Sequence, residues 1–194
     1  AIQALSRIGT QRTLADALGE PIRGYPVEAF LFPSGGLAEL LAAPSGRFSI
    51  EADLTREKDI YRYRVEVEIV PGSGALAIAD EYLSALGKDG TPKGTAAIEQ
   101  VDGKLRVRRK GEGGKPRNES LRQNYAILSD PRLGTPLYRA VERARSELSG
   151  WRTYYLDPRV AMRSAQPPSD VRDIGVLGGE IAPFLYRLRG EHPK

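Results

Sequence analysis

The chain has 194 residues, 40% hydrophobic and 28% charged, with 29 basic and 25 acidic side chains giving a net charge of +4. That composition suits a globular protein with one real core. It contains no cysteine and one histidine, His192, which excludes a disulfide framework, a thiolate site, a His-based metal cluster and a Ser-His-Asp triad. No apolar run approaches about 18 residues, so no membrane span is expected. No signal peptide is recognisable, and a cytoplasmic location is the expectation.

The chain opens on AIQALSRIG, which places Ile2, Leu5 and Ile8 on one helical face without a preceding cap or initiator Met. It reads as the tail of a helix that begins elsewhere. TLADALG is a second short helix with Thr13 as N-cap and Gly19 as stop. GGLAELLAAPSG reads as a third, closed by Pro44 and Gly46.

The hydrophobic period then changes from 3.6 to 2. Phe48, Ile50, Ala52 and Leu54 alternate with polar residues, and so do Tyr61, Tyr63, Val65, Val67 and Ile69. Such alternation predicts antiparallel strands with one buried and one wet face. TREKDI connects them, a third apolar run covers Leu76–Leu83, and AAIEQVDGKLRVRRK forms a hairpin turning at Asp102-Gly103. GEGGKPRN, residues 111–118, is expected to be a flexible loop. Thr135 caps a helix with Pro136 at its first position and Leu137, Ala140, Val141, Ala144 and Leu148 as its apolar stripe, ending at Gly150. WRTYYLD, with aromatics on both faces, reads as a strand covered on both sides. A final helix starts after Gly178-Gly179, carries Ile181, Phe184, Leu185 and Leu188, and stops at Gly190. The order predicts an α+β fold, a small antiparallel β-sheet lobe flanked by helices. It comprises a helical start (1–46), a β lobe (47–118) and a helix-strand-helix segment (119–194).

Chemistry-bearing motifs are sparse. PSGG and VLGGE precede helices but lack phosphate-loop spacing. Glu66 and Glu68 share a strand face, read as solvated. Residues 104–117 hold seven basic groups against one acid, Glu112. Lys104, Arg106, Arg108 and Lys110 fall on one strand face about 7 Å apart, with Arg109 beside them, a spacing that roughly matches nucleic-acid phosphates. The competing reading is a charged edge strand that blocks aggregation. The stretch has no aromatic residue, so base stacking is not expected.

The stretch SGWRTYYLDPRVAMRSAQPP, followed by LGGEIAPFLYRLRGEHP, resembles a pattern in the RecF/SMC-like predicted AAA ATPases, including those related to the OLD nucleases. RQNYAILSDPRLGTPLYRAVERA is similar to the family segment just upstream, and AIQALSRIG looks like the end of the helix after the family's phosphate loop. The resemblance covers the start of the chain and most of its second half, and the sheet fits by type alone. The family's phosphate loop would lie before Ala1, and its signature motif, Walker B carboxylates and following histidine after Lys194. Glu180 stands where an Asn is usual.

The resemblance implies the interior of an ABC-type P-loop ATPase head. A longer protein would bind ATP and Mg²⁺, dimerise through its heads and act with DNA, whereas this chain alone would hold no cofactor or metal. It also implies that Gln123, on the passage from the β lobe to the helical lobe, contacts Mg²⁺ and the attacking water. The alternative role for Gln123 is a helix-start residue bonded to backbone. Gln100 is a rival, inside the hairpin. The Asp157-Pro158 exit loop carries Arg159 and Arg163, within reach of a partner or nucleotide. The alternative function is a non-catalytic module that binds nucleic acid or protein through the basic hairpin 104–117.

Overall fold

The computed structural model describes residues 1–20, 38–39, 42–70, 73–109 and 115–192. Residues 35–37, 40 and 41 of the expected helix GGLAELLAAPSG lie outside them, as does Lys110. The chain divides into two compact units, Ala1–Trp151 and Arg152–Lys194.

The first unit is α+β. Strands β1 (Gly46–Arg56), β2 (Asp59–Val70), β3 (Ala75–Leu86), β4 (Ile98–Val101), β5 (Lys104–Val107) and β6 (Arg117–Ser120) form one antiparallel meander in chain order. Alternation sets the register: Phe48 lies opposite Val67, Ala52 opposite Tyr63, and Tyr63 opposite Leu83. These side chains therefore share one face of the sheet. A bulge between Glu66 and Val67 shifts the β2–β3 pairing, which resumes at Ile78. The turn from β1 to β2 is tight, with Glu57 in the left-handed region at φ 58°. The β4–β5 turn has Asp102 at φ 51° and Gly103 at φ 70°, the backbone that an Asp-Gly hairpin favours.

Helices α1 (Ile2–Thr10), α2 (Leu14–Leu18) and α3 (Arg139–Gly150) complete this unit. Thr13 caps α2 as expected: its side chain accepts from the Asp16 N–H while Asp16 accepts from the Thr13 N–H. Ala4, Leu5 and Ile8 of α1 and Val141, Ala144 and Leu148 of α3 share one core with Tyr63, Val65, Leu83 and Ile98 of the sheet. Each large side chain buried there contributes roughly 1.5–3 kcal/mol. Ser6 ties the two helices by donating to the Leu148 carbonyl at 2.8 Å. Gly9 lets them approach, since a Cβ there would lie 2.6 Å from Leu148 Cδ1.

The opposite sheet face carries ion pairs. Arg62 bonds Asp53 through both Nε and Nη2 at 2.8 and 2.9 Å, and Arg64 bonds Asp80 at 2.8 Å. Glu68, expected on a solvated face, is instead 3% exposed and paired with Arg47 and Arg122. The two arginines cover it and supply the partners that burial demands.

Three other expectations change. Residues 117 and 118, expected in the loop, instead open strand β6, held by register from Lys104–Ser120 to Val107–Arg117. The Thr135-Pro136 bond is cis, and α3 begins later, with Tyr138 as N-cap. WRTYYLD is not a core strand. Trp151 packs against the first unit's core, but Tyr154, Tyr155 and Leu156 are 39%, 61% and 46% exposed.

The second unit holds the 3₁₀ turn Ala161–Arg163 and helix α4 (Ile181–Glu191). The Tyr155 and Asp157 N–H groups donate to the carbonyls of Val176 and Leu177 at 2.8 and 2.9 Å. Tyr154 donates its hydroxyl to Asp173 at 2.8 Å. Asp157 accepts from the N–H groups of Arg159 and Val160, so its carboxylate closes a local turn. Arg159 and Arg163 are exposed.

Candidate functional site

The most constrained polar feature is the passage from the sheet to α3. Arg122 and Gln123 leave β6 and pair with the upper part of β3. The Ile78 carbonyl accepts from Arg122 N–H at 2.9 Å, and the Gln123 carbonyl accepts from Ile78 N–H at 2.8 Å. Gln123 is thus fixed by its backbone in irregular chain between β6 and the 3₁₀ turn, not at a helix start. Its side chain is half-buried, and its amide makes no hydrogen bond among the described residues. Gln100 sits in β4, opposite Leu105.

The chain then enters the 3₁₀ turn Ile127–Ser129, with every residue from Ala126 to Asp130 buried. So short a turn leaves most backbone groups without regular partners. Side chains from two elements supply them. From β3, Glu81 accepts the N–H of Ile127 at 2.6 Å and of Leu128 at 2.8 Å. From α3, Arg145 donates to the carbonyls of Leu128, Asp130 and Leu133 at 2.6, 2.7 and 2.8 Å. A planar guanidinium suits this task because its donors leave in several fixed directions.

Glu81 has no exposed surface. Burial pushes its carboxyl up to about 7, against the opposing pull of the Leu128 and Ile127 N–H groups and the Tyr63 hydroxyl, which donates at 3.1 Å. Tyr63 is raised in turn, first by burial and then by the neighbouring Glu81. Burial also works against ionisation of Asp130, but the side-chain and backbone bonds from Arg132 outweigh it and lower the carboxyl. Sequence reading missed Glu81 and Arg145. The one signal was a glutamate two residues before Leu83, at a position that alternation turns toward the core.

The expected basic face is only partly present. Leu105 and Val107 fill the core, and Lys104 and Arg106 lie on the other side. β5 is paired on both sides, so it is not an edge strand. Arg106 is half-buried beside Glu99, with its Nε buried and unpartnered. Arg108 folds back, donating to the Ala96 carbonyl at 2.7 Å and to Glu99 at 2.5 Å. Arg109 turns toward α3, where its Nε donates to the Tyr138 hydroxyl at 3.1 Å.

That turn brings together arginines which the sequence keeps apart. Arg108 and Arg109, beyond β5, meet Arg139 and Arg143, at the start of α3, around a cleft of about 530 Å³. Asp59 is the one carboxylate in its lining, and it pairs with Arg143. Arg139 is exposed and makes no hydrogen bond or ion pair among the described residues. No group of three or more carboxylates or histidines placed to hold a metal ion occurs among the described residues. No helix among them is long and apolar enough to cross a membrane.

No family model, no curated protein and no solved structure matches this chain.

Proposed function

We propose that the chain is part of an ABC-type ATPase head of the RecF/SMC/OLD-like kind, acting on or with DNA in repair or defence and inactive as an ATPase by itself. The observation that carries the reading is the passage 121–133, which joins an antiparallel sheet to a helix and is gripped from both sides by Glu81 and Arg145. A movement at one side has a rigid path to the other. Gln123 sits at the start of that passage with its amide unengaged, which suits a residue that contacts Mg²⁺ and orients the attacking water.

The test uses a longer protein that carries a phosphate loop ahead of this segment. Gln123→Ala should lower kcat for ATP by roughly ten-fold, about 1.4 kcal/mol, with little change in ATP affinity. An unchanged kcat removes Gln123 from the reaction, and failure of the longer protein to bind ATP removes the ATPase reading.

The second reading is a non-catalytic module that binds nucleic acid. It is favoured by the convergence of Arg108, Arg109, Arg139 and Arg143 on one cleft. Binding should be weak, fall with salt and be insensitive to base sequence. Equal binding at low and high salt would count against it.

A further inference from the structure

Four arginines, Arg108, Arg109, Arg139 and Arg143, line the cleft between the end of β5 and the start of α3. Arg139 and Arg143 stand one turn apart on α3, so their side chains leave on one face. Arg143 is partly neutralised by Asp59, and Arg108 is held by Glu99. Arg109 and Arg139 carry the uncompensated charge. Arg109 is also pre-positioned. Its Nε bond to Tyr138 at 3.1 Å and its placement 5.9 Å from that ring's centroid fix the guanidinium plane while leaving both terminal nitrogens to donate. Less side-chain freedom is then lost when an anion arrives.

The lining also says what kind of anion fits. Tyr61 and Tyr138 are 7% and 6% exposed, so neither offers a ring face for base stacking. The rest of the wall is small or apolar, with Ala85, Ala97 and Ala140 among it. Such a lining offers donors to a phosphate and no stacking face to a base. At about 530 Å³ the cleft is larger than a single phosphate group needs.

We propose that this arginine-lined cleft, through Arg109 and Arg139, is a binding site for the phosphodiester backbone of a nucleic-acid strand. The site deepens the nucleic-acid reading above and rests on it, and it is independent of any ATPase activity.

The test is fluorescence anisotropy of this chain with a labelled oligonucleotide of about 20 nucleotides, single-stranded and duplex, across a salt series. The double variant Arg109→Gln/Arg139→Glu should weaken binding at least ten-fold and flatten the log–log salt slope by about two. A glutamate in the first turn of α3 complements the helix dipole, so Arg139→Glu should leave folding intact. Arg139→Gln alone, with an unchanged melting midpoint, checks this and should weaken binding about three-fold. The hairpin variant Lys104→Glu/Arg106→Gln should change binding less than three-fold.

Binding that survives the cleft double variant but falls with the hairpin variant overturns the site and keeps the nucleic-acid reading. No binding by the unmodified chain at low salt overturns both. Displacement of the oligonucleotide by micromolar pyrophosphate would also overturn the proposal, by showing a site for small free anions.

Discussion

Glu81 reaches from strand β3 to the backbone N–H of Ile127 at 2.6 Å, inside a core that leaves its side chain no exposed surface. The same carboxylate takes the Leu128 N–H and the Tyr63 hydroxyl. A sheet residue therefore does for the 3₁₀ turn what an N-cap does for a helix. Arg145 completes the arrangement from the other side, through three carbonyls of the same passage. The passage has its polar groups satisfied by two side chains anchored on different elements. Shifting the sheet relative to α3 must break one set of bonds or carry the whole segment along.

The position of Glu81 has a pH signature. Its carboxyl titrates at about 7 when folded, against 4.5 ordinarily. Between those values the folded chain keeps a proton that the unfolded chain releases, so stability falls as pH rises. This contribution is full below pH 4.5, declines up to about 7 and is flat beyond it. Over the window it amounts to about 3 kcal/mol. Glu81→Gln removes the titration but faces an amide NH₂ toward backbone donors, costing roughly 1–3 kcal/mol. Urea unfolding of both proteins from pH 4 to 8 reads the difference. The unmodified chain should lose its advantage over Glu81→Gln as the pH approaches 7, and a constant gap between the two would refute this account.

Arg145 should matter through geometry more than charge. Arg145→Ala strands the carbonyls of Leu128, Asp130 and Leu133 in a buried segment, and should cost about 3 kcal/mol. Arg145→Lys keeps the charge but cannot spread its donors over three acceptors. It should recover no more than about half of that loss. Hydrogen exchange at Leu128 and Leu133 should accelerate in both variants before exchange in β2 does. Full rescue by lysine would show that a point charge suffices.

The sheet was legible because period-2 alternation is a strong signal and an Asp-Gly turn is a specific one. Phe48 to Ile69 fall on the faces that the pattern assigns. Strand β6 was not legible: RNES has no apolar residue, and what makes it a strand is its backbone pairing with β5. The clamp on 127–133 escaped for a related reason. Glu81 and Arg145 meet that segment over sequence separations of 46 and 17, and nothing local in a glutamate or arginine names its distant partner. The cleft combines both cases. Arg108 and Arg109 were visible as a basic run, but Arg139 and Arg143 look like ordinary helix charges until α3 is placed beside β5.

The stretch GWRTYYLD offers the sharpest test, because sequence pattern and structure disagree about it. Aromatics on both faces of a short run read as a strand buried on both sides, and removing one would then cost about 3–5 kcal/mol. The structure divides the run instead. Trp151 packs against the core of the first unit, with its indole N–H 3.4 Å from Glu147, while Tyr155 is 61% exposed and bonds through its backbone N–H to the Val176 carbonyl. Tyr155→Ser preserves that backbone bond and removes little buried surface, so stability should change by no more than about 0.5 kcal/mol. Trp151→Ala removes indole surface from a packed environment and should cost about 2–3 kcal/mol. Thermal unfolding followed by circular dichroism compares the two variants directly. Equal large losses would restore the strand reading, whereas a silent Tyr155→Ser beside a damaging Trp151→Ala places the edge of the first core at Trp151.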